Sequence, residues 1–206
     1  MTRISKSPAE RRMEILLAAK ELFFTQGYNR TSVNDIVKKV GVAQGLFYYY
    51  FASKDDIYKA VFELCCDETV VSIQEVLANE EIALNDRIIK AIGLLTNNIE
   101  SKEQPLMEGV QMAEYLELHN KLTLHSTEML VEPVADILQR QNENGTLNVQ
   151  NPNITARFIV YGIWGIMHVE EHAFVKDREN KMIEMYELIA RMLNVPIEFF
   201  TNGRLS

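Results

Sequence analysis

The chain has 206 residues, enough for one large domain or for a small domain joined to a larger one. Its formal net charge of -8 at pH 7 argues against a general nucleic-acid coat protein, but residues 1–54 hold 9 Lys and Arg against 4 Asp and Glu, a net charge of +5. The remaining residues carry a net charge of -13, so we expect a basic end that can bind phosphates and an acidic end that phosphates repel.

The first predicted helix runs from about residue 8 to residue 26. Its apolar residues recur on one face, Pro8 suits a first turn, and Gly27 suits the left-handed residue that ends a helix. Charged residues interrupt the apolar run after residue 12, so we expect no secretory signal peptide. This helix is expected to serve as a scaffold for the next two.

Residues 31–57 carry the most informative pattern in the chain. A short helix is predicted by apolar residues at three- and four-residue spacing, namely Val33, Ile36, Val37 and Val40. It begins at Thr31 or Ser32, where Asp35 completes a capping box, and it ends at Gly41. Only four residues separate it from a second apolar run, which is typical of a helix-turn-helix motif.

The second helix of this motif contains more aromatic side chains than one buried face can hold. Leu46 is followed by five aromatic residues, of which Phe47, Tyr50 and Phe51 form the predicted inward face. The residues left pointing outward are Gln44, Gly45, Tyr48 and Tyr49. A small residue flanked by an amide and two phenols suits close approach to phosphates and base edges. Ser53 is then predicted to cap a further helix.

These positions together resemble the DNA-binding signature of the TetR (tetracycline repressor) family of bacterial transcriptional regulators. The matching residues are Thr31, Ile36, Gly41-Val42-Ala43, Gly45, Phe47-Tyr48-Tyr49-Tyr50-Phe51 and Lys54. The resemblance implies an all-α fold with an N-terminal three-helix DNA-binding domain and a larger C-terminal helical domain for ligand binding and dimerisation. The first domain would span residues 1–54, with the helix-turn-helix at about 31–51, and the second would span residues 55–206.

The resemblance also implies which residues face DNA. The implied set is Thr31, Ser32, Gln44, Gly45, Tyr48, Tyr49 and Lys54. Gln44 is the best candidate for a base contact, because its amide matches the donor and acceptor pair of adenine. Two positions depart from the family pattern: Ala43 replaces a Ser or Thr cap, and Leu46 replaces a small or polar residue. Both departures leave the operator sequence open.

Helices are predicted along the rest of the chain, at about 54–78, 84–100, 104–118, 121–144, 153–174 and 178–193. No alternating strand pattern of useful length occurs. The longest apolar run, Phe158 to Val169, is too short to span a bilayer, so we expect a soluble, cytoplasmic protein without membrane contact.

The last two long helices are the predicted dimer surface, since the family pairs them with their copies as a four-helix bundle. Their candidate interface residues are Phe158, Tyr161, Gly162, Gly165, Val169, Ile183, Tyr186, Ile189, Ala190 and Leu193. The two glycines would let backbones approach closely at a cost of about 1 kcal/mol each relative to alanine. Packing against another helix of the same chain is the alternative for each residue.

A small-molecule effector site is expected in the C-terminal domain. Methionine and aromatic residues on neighbouring helices suit an irregular apolar ligand, and the candidates are Met107, Met112, Tyr115, Met129, Phe158, Trp164, Met167 and His168. Asp136, Arg157 and Glu170 are candidates for its polar end.

Two other features allow a different chemistry. His168 and His172 lie four residues apart with Glu171 between them, which is metal-ligand spacing and resembles an inverted zincin motif. No third ligand of suitable type follows, so we expect neither an enzyme nor a resident cofactor or metal. Cys65 and Cys66 could sense oxidants or could simply be buried.

The sequence therefore predicts a homodimeric regulator of transcription. The expected protein is a repressor that binds a palindromic double-stranded operator and is released by an effector. Two alternatives stay open: a metal-binding protein or metalloenzyme using His168 and His172, and a DNA-binding protein without an effector.

Overall fold

The computed structural model of the chain describes residues 6–101, 112–169 and 177–201. All regular secondary structure in these ranges is helical, which confirms the all-α prediction. The described helices are α1 (Pro8–Gln26), α2 (Val33–Val40), α3 (Gln44–Tyr50), α4 (Lys54–Ala78), α5 (Leu84–Ser101), α6 (Met112–Glu143), α7 (Pro152–Val169), α8 (Arg178–Leu193) and α9 (Glu198–Thr201). None of them is both long and apolar enough to cross a lipid bilayer.

The described residues form two compact units. Unit 1 holds the residues up to Glu68 and those between Asn97 and Leu122, and unit 2 holds Thr69–Thr96 and the residues from Thr123 onward. Helix α4 therefore contributes its first part to unit 1 and its last part to unit 2. The functional boundary expected at residue 54 stays a prediction.

Side-chain caps fix the ends of the first two helices. The Ser7 hydroxyl accepts a hydrogen bond from the Glu10 N–H at 3.2 Å, and the Glu10 carboxylate accepts one from the Ser7 N–H at 2.7 Å. Ser32 and Asp35 form the same reciprocal pair at the start of α2, as predicted. Gly41 ends α2 in the left-handed region at φ 75°, which glycine adopts without strain.

Helix α6 is continuous where the sequence was expected to divide it. The predicted helices at 104–118 and 121–144 are joined across residues 119–121, and residues 104–111 lie outside the described ranges. This stretch is polar, but it contains neither glycine nor proline, so no residue in it strongly opposes the helix. Pro133 lies inside α6 and has no backbone N–H to donate to the Met129 carbonyl. That carbonyl accepts a hydrogen bond from the Gln74 side-chain amide at 3.5 Å instead.

Two polar side chains shape the rest of unit 2. The Asn142 side chain accepts a hydrogen bond from the Val149 N–H at 2.9 Å and donates one to the Val149 carbonyl at 2.7 Å, which closes the loop after α6. Buried Arg87 donates from Nη1 to the Leu77 carbonyl at 2.9 Å near the end of α4. A cation suits this place because the last carbonyls of a helix carry partial negative charge.

Candidate nucleic-acid interface

The position of α3 is set by the apolar core of unit 1. Four of its side chains, Phe23, Ile36, Phe47 and Phe51, are at most 1 % exposed. Phe47 and Phe51 lie on one side of α3, with ring centroids 5.8 Å apart. Burying a phenylalanine side chain stabilises a fold by about 1.5–3 kcal/mol, so these residues hold α3 against α1 and α2.

The opposite side of α3 faces solvent. Tyr49 is 74 % exposed and Tyr48 is 52 % exposed, and Gln44 and Gly45 are also exposed. The expected division of this aromatic run into an inward and an outward face is therefore confirmed, with Tyr50 half-buried between the two. The contact of the outward residues with DNA stays a prediction.

The start of α3 lacks a side-chain cap. Ala43 occupies the capping position in extended conformation and makes no side-chain hydrogen bond to the helix. The turn before it is closed instead by the backbone, since the Val42 N–H donates to the Val37 carbonyl at 3.0 Å. The sequence predicted this loss of a cap bond at Ala43.

Thr31 is placed differently from the surface position that was expected. It is 1 % exposed, and its hydroxyl donates to the Gly27 carbonyl at 2.8 Å while it accepts from the Gln26 amide at 3.2 Å. Its neighbour Ser32 is exposed. Thr31 therefore ties the end of α1 to the start of α2, and Ser32 is the accessible hydroxyl of the pair.

Thr31→Val tests this structural role. The substitution keeps the shape but leaves the buried Gly27 carbonyl and the Gln26 amide without the hydroxyl, so we expect unit 1 to lose about 1–3 kcal/mol of unfolding free energy. Thr25→Val is the matched control, because its hydroxyl makes the same kind of bond to the Glu21 carbonyl at 2.8 Å but is exposed. Urea unfolding followed by circular dichroism measures both. Unchanged stability with weakened DNA binding would return Thr31 to the DNA-facing set.

Lys54 lies over an aromatic ring at the start of α4. Its ammonium is 3.9 Å from the centroid of the Tyr28 ring, and the Tyr28 hydroxyl donates a hydrogen bond to Asp55. Burial lowers the pKa of Lys54, and the Asp55 charge partly opposes this. A cation over a ring face is held in place by the ring quadrupole, so Tyr28 positions the predicted phosphate contact of Lys54.

The Tyr28 phenol should make stability sensitive to alkaline pH. Burial first, then the hydrogen bond to Asp55, raise the pKa of Tyr28 above its ordinary value of 10. Above about pH 10 the unfolded chain releases this proton and the folded chain keeps it, so the unfolding free energy of unit 1 falls as pH rises. The slope of unfolding free energy against pH should therefore be negative in this range. Tyr28→Phe should remove it in urea titrations between pH 9 and 11, and exposed Tyr49→Phe should not.

Four of the described cations of unit 1 form ion pairs with carboxylates. Lys6 and Arg11 both pair with Glu14, Lys20 pairs with Glu68, and Lys39 pairs with Glu21. Within the described part of unit 1, the cations that form no such ion pair are Arg12, Arg30, Lys38, Lys54, Lys59 and Lys121. The Arg12 guanidinium lies 4.8 Å from the Phe51 ring centroid at the end of α3. The position of Arg12 could not be predicted from the sequence, because a contact between residues so far apart in the chain leaves no local signal.

The predicted effector residues do not come together in the described part of unit 2. Met107 lies outside the described ranges, as do the side chains of Met112, Tyr115 and His168. Phe158 and Met129 are exposed, Trp164 is half-buried and Met167 is buried. Of the candidates for the polar end of the site, Asp136 and Arg157 are exposed, and Arg157 forms an ion pair with Glu128 at 3.2 Å. The third candidate, Glu170, lies outside the described ranges.

A cavity of about 70 Å³ occurs instead among branched aliphatic side chains of unit 2. Its wall is formed by Ile73, Leu77, Ile88, Ala91, Ile92, Leu95, Leu130, Val134, Ile137, Leu138, Ile159, Val160, Ile163, Ile189 and Leu193. These residues were not predicted, because the predicted effector site consists mainly of methionine and aromatic side chains. The density of isoleucine and leucine on α5 and α6 is the sequence signal that indicates them.

The predicted dimer residues divide into exposed and buried groups. Phe158 is 68 % exposed and Gly162 is exposed, whereas Tyr161, Gly165, Ile183 and Tyr186 are half-buried. Three of the predicted interface residues are at most 3 % exposed within their own chain, namely Ile189, Ala190 and Leu193. They are therefore not available to a partner subunit, contrary to the prediction. Their stripe on α8 packs inside unit 2, and the side chain of Val169 lies outside the described set.

The histidine and cysteine hypotheses gain no support from the described residues. His172 and the side chain of His168 lie outside them, and the part of the chain that is described holds no group of three His, Cys, Asp or Glu able to bind a metal ion. Cys65 and Cys66 are half-buried and pack against the apolar core of unit 1.

The N-terminal part of the chain is similar in sequence to known regulatory proteins. A family model described as bacterial regulatory proteins, tetR family, matches residues 15–61. The transcriptional regulator YvdT of Bacillus subtilis is 41% identical over 68 residues, which cover 33% of this chain and 35% of YvdT. The transcriptional activator FasR of Mycolicibacterium smegmatis is 34% identical over 68 residues, covering 33% of this chain and 31% of FasR. The match spans about a third of the length of these relatives.

The fold similarity extends much further than the sequence similarity. A TetR-family transcriptional regulator from Pectobacterium atrosepticum aligns with a TM-score of 0.65 at 19% identity, covering 93% of this chain and 97% of that chain. The family model includes α2 and α3, and the structural alignment includes nearly the whole architecture. The chain is therefore similar to the tetR family of bacterial regulatory proteins in sequence over residues 15–61 and similar to a TetR-family regulator in fold over most of its length.

Proposed function

We propose that this protein is a DNA-binding transcriptional regulator that acts as a homodimer on a palindromic operator. The observation that carries the proposal is the outward face of α3. Gln44, Gly45, Tyr48 and Tyr49 are exposed on a short helix whose other side is anchored by fully buried phenylalanines. A protruding helix that carries an amide and two phenols can enter a major groove, where phosphate contacts position it and base contacts specify sequence.

Similarity to the tetR family supports the proposed partners and class of activity. Members of this family are transcriptional regulators that bind operator DNA and form dimers, and they are not enzymes. We therefore place the DNA-binding domain at residues 1–54 and the effector-binding and dimerisation domain at residues 55–206. A regulator of a bacterial chromosome acts in the cytoplasm.

We further propose that the protein is a repressor and that a small-molecule effector releases it. FasR is named an activator, so the relatives of this chain include a protein that raises transcription instead of repressing it. Effector and operator binding would be reciprocal: each weakens the other by the same factor, about 5- to 150-fold for a coupling of 1–3 kcal/mol. Helices α4, α5 and α6 each contribute residues to both units, and α4 is the one that directly follows α3 in the chain, so we expect α4 to transmit the change.

Selection of genomic fragments by the full-length protein, followed by footprinting, tests the DNA-binding proposal. We expect a palindromic site whose half-site centres lie about 34–36 Å apart, one turn of the duplex. Affinity should fall steeply between 50 and 200 mM salt, because bound phosphates release counterions. Recovery of random fragments, or of a site without two-fold symmetry, would contradict the proposal.

A further inference from the structure

The cavity of unit 2 has a wall of uniform chemistry. Five helices, α4 to α8, contribute to it, and every lining residue is isoleucine, leucine, valine or alanine. Among the residues that the structure describes, no side-chain donor, acceptor or charge belongs to this wall. A polar or ionised group placed there would lose its hydration without gaining a hydrogen bond or a counter-charge, so the wall rejects such groups.

The size of the cavity limits the shape of an occupant. An engineered apolar cavity of about 150 Å³ accepts a benzene ring. The cavity here, at about 70 Å³, is roughly half as large, so an aromatic ring would have to displace the wall. An unbranched alkyl chain is narrower than a ring and can enter with its terminal carbons only.

We propose that this cavity binds the methyl end of an unbranched alkyl chain, so that the effector class is an amphiphile whose polar head stays outside the described wall. The effect of alkyl-chain binding on operator affinity rests on the proposed function, in which an effector releases the protein from DNA. Binding of the chain itself depends only on the cavity and can be tested without an operator.

A chain-length series tests the proposal on the full-length protein. The probes are n-alkanols and n-alkanoic acids from two to twelve carbons, measured by isothermal titration calorimetry. Burying one methylene is worth about 0.8 kcal/mol, so we expect affinity to rise about fourfold per added carbon in both series until the cavity is filled. Affinity that ignores chain length, or binding of tetraphenylphosphonium but of no alkyl probe, would overturn the proposal.

A matched pair of variants locates the site. Val160→Leu adds a methylene to a buried wall residue, and we expect it to lower alkyl-chain affinity at least tenfold. Val71→Leu makes the same change at a position of α4 that is 50 % exposed, and affinity should stay as in the parent protein. If Val160→Leu does not fold, Val134→Leu at a half-buried wall position replaces it. Equal effects of the wall and surface variants would contradict the assignment.

The same samples separate this inference from the proposed function. Alkyl binding that leaves operator affinity unchanged confirms the site and refutes release by an effector in this cavity. Specific operator binding without any alkyl binding refutes the site and leaves the DNA-binding proposal intact. Alkyl binding that weakens operator affinity in the parent protein, but not in Val160→Leu, supports both.

Discussion

Gly45→Ala is expected to weaken operator binding at least tenfold while leaving the free protein as stable as before or more stable. Gly45 is the second residue of α3, and it is exposed. A Cβ atom added there would meet no other atom within 4 Å, and the residue is not in the left-handed region. Alanine is favoured over glycine in a helix by about 0.5–1 kcal/mol, so the free fold gains rather than loses.

The loss of affinity has a separate cause. In a helix-turn-helix complex the first residues of the recognition helix approach the base edges, so a methyl group on Gly45 would meet DNA instead of solvent. A tenfold loss corresponds to about 1.4 kcal/mol. Fluorescence anisotropy with the footprinted operator measures the affinity, and thermal unfolding checks the stability.

Gly93→Ala is the matched control for Gly45→Ala. Gly93 also lies within a helix, α5, and an added Cβ there meets nothing within 4 Å. It belongs to unit 2 and should leave operator affinity unchanged. If Gly45→Ala bound the operator as tightly as Gly93→Ala does, the start of α3 would not be the part of the protein that approaches DNA.

Local chemistry explains why so much of unit 1 could be predicted from sequence. The limits of α1 and α2 follow from Pro8, the Ser32–Asp35 pair and the two glycines that end these helices, all of which act on neighbouring residues. The exposure of Tyr48 and Tyr49 follows from the number of aromatic residues, because five consecutive rings, four in α3 and Phe51 directly after it, cannot all be buried on one face.

What the sequence did not predict depends on contacts between distant segments. A threonine near the start of a helix can be an exposed cap or can form a buried hydrogen bond to another segment. Only the turn after α1 brings the Gly27 carbonyl close to the Thr31 hydroxyl. The cavity is a gap left where five helices meet, so no single helix encodes it. The burial of Ile189 and Leu193 was missed for the same reason, since periodicity identifies an apolar face but not its partner.

Phe158→Glu is expected to convert the protein from a dimer to a monomer and to reduce operator affinity at least a hundredfold. Phe158 is 68 % exposed on α7, and Ile154, one turn earlier, is 53 % exposed. Burying a phenylalanine gains about 1.5–3 kcal/mol, and a two-fold axis doubles this because each protomer contributes the residue. Glutamate removes this stabilisation, and the dimer would have to bury two carboxylates, one from each protomer, without partners.

Operator binding should fail with the dimer, because a monomer contacts one half-site and loses the second set of contacts. Sedimentation velocity at micromolar concentration measures the assembly, and anisotropy measures the affinity. Leu124→Glu is the control: it adds the same charge to unit 2 on α6, at a side chain that is 44 % exposed and outside the predicted interface. We expect that variant to remain dimeric and to bind DNA normally. A Phe158→Glu protein that sediments as a dimer would move the interface away from this face of α7, and full operator affinity in a monomer would refute the two-half-site mechanism.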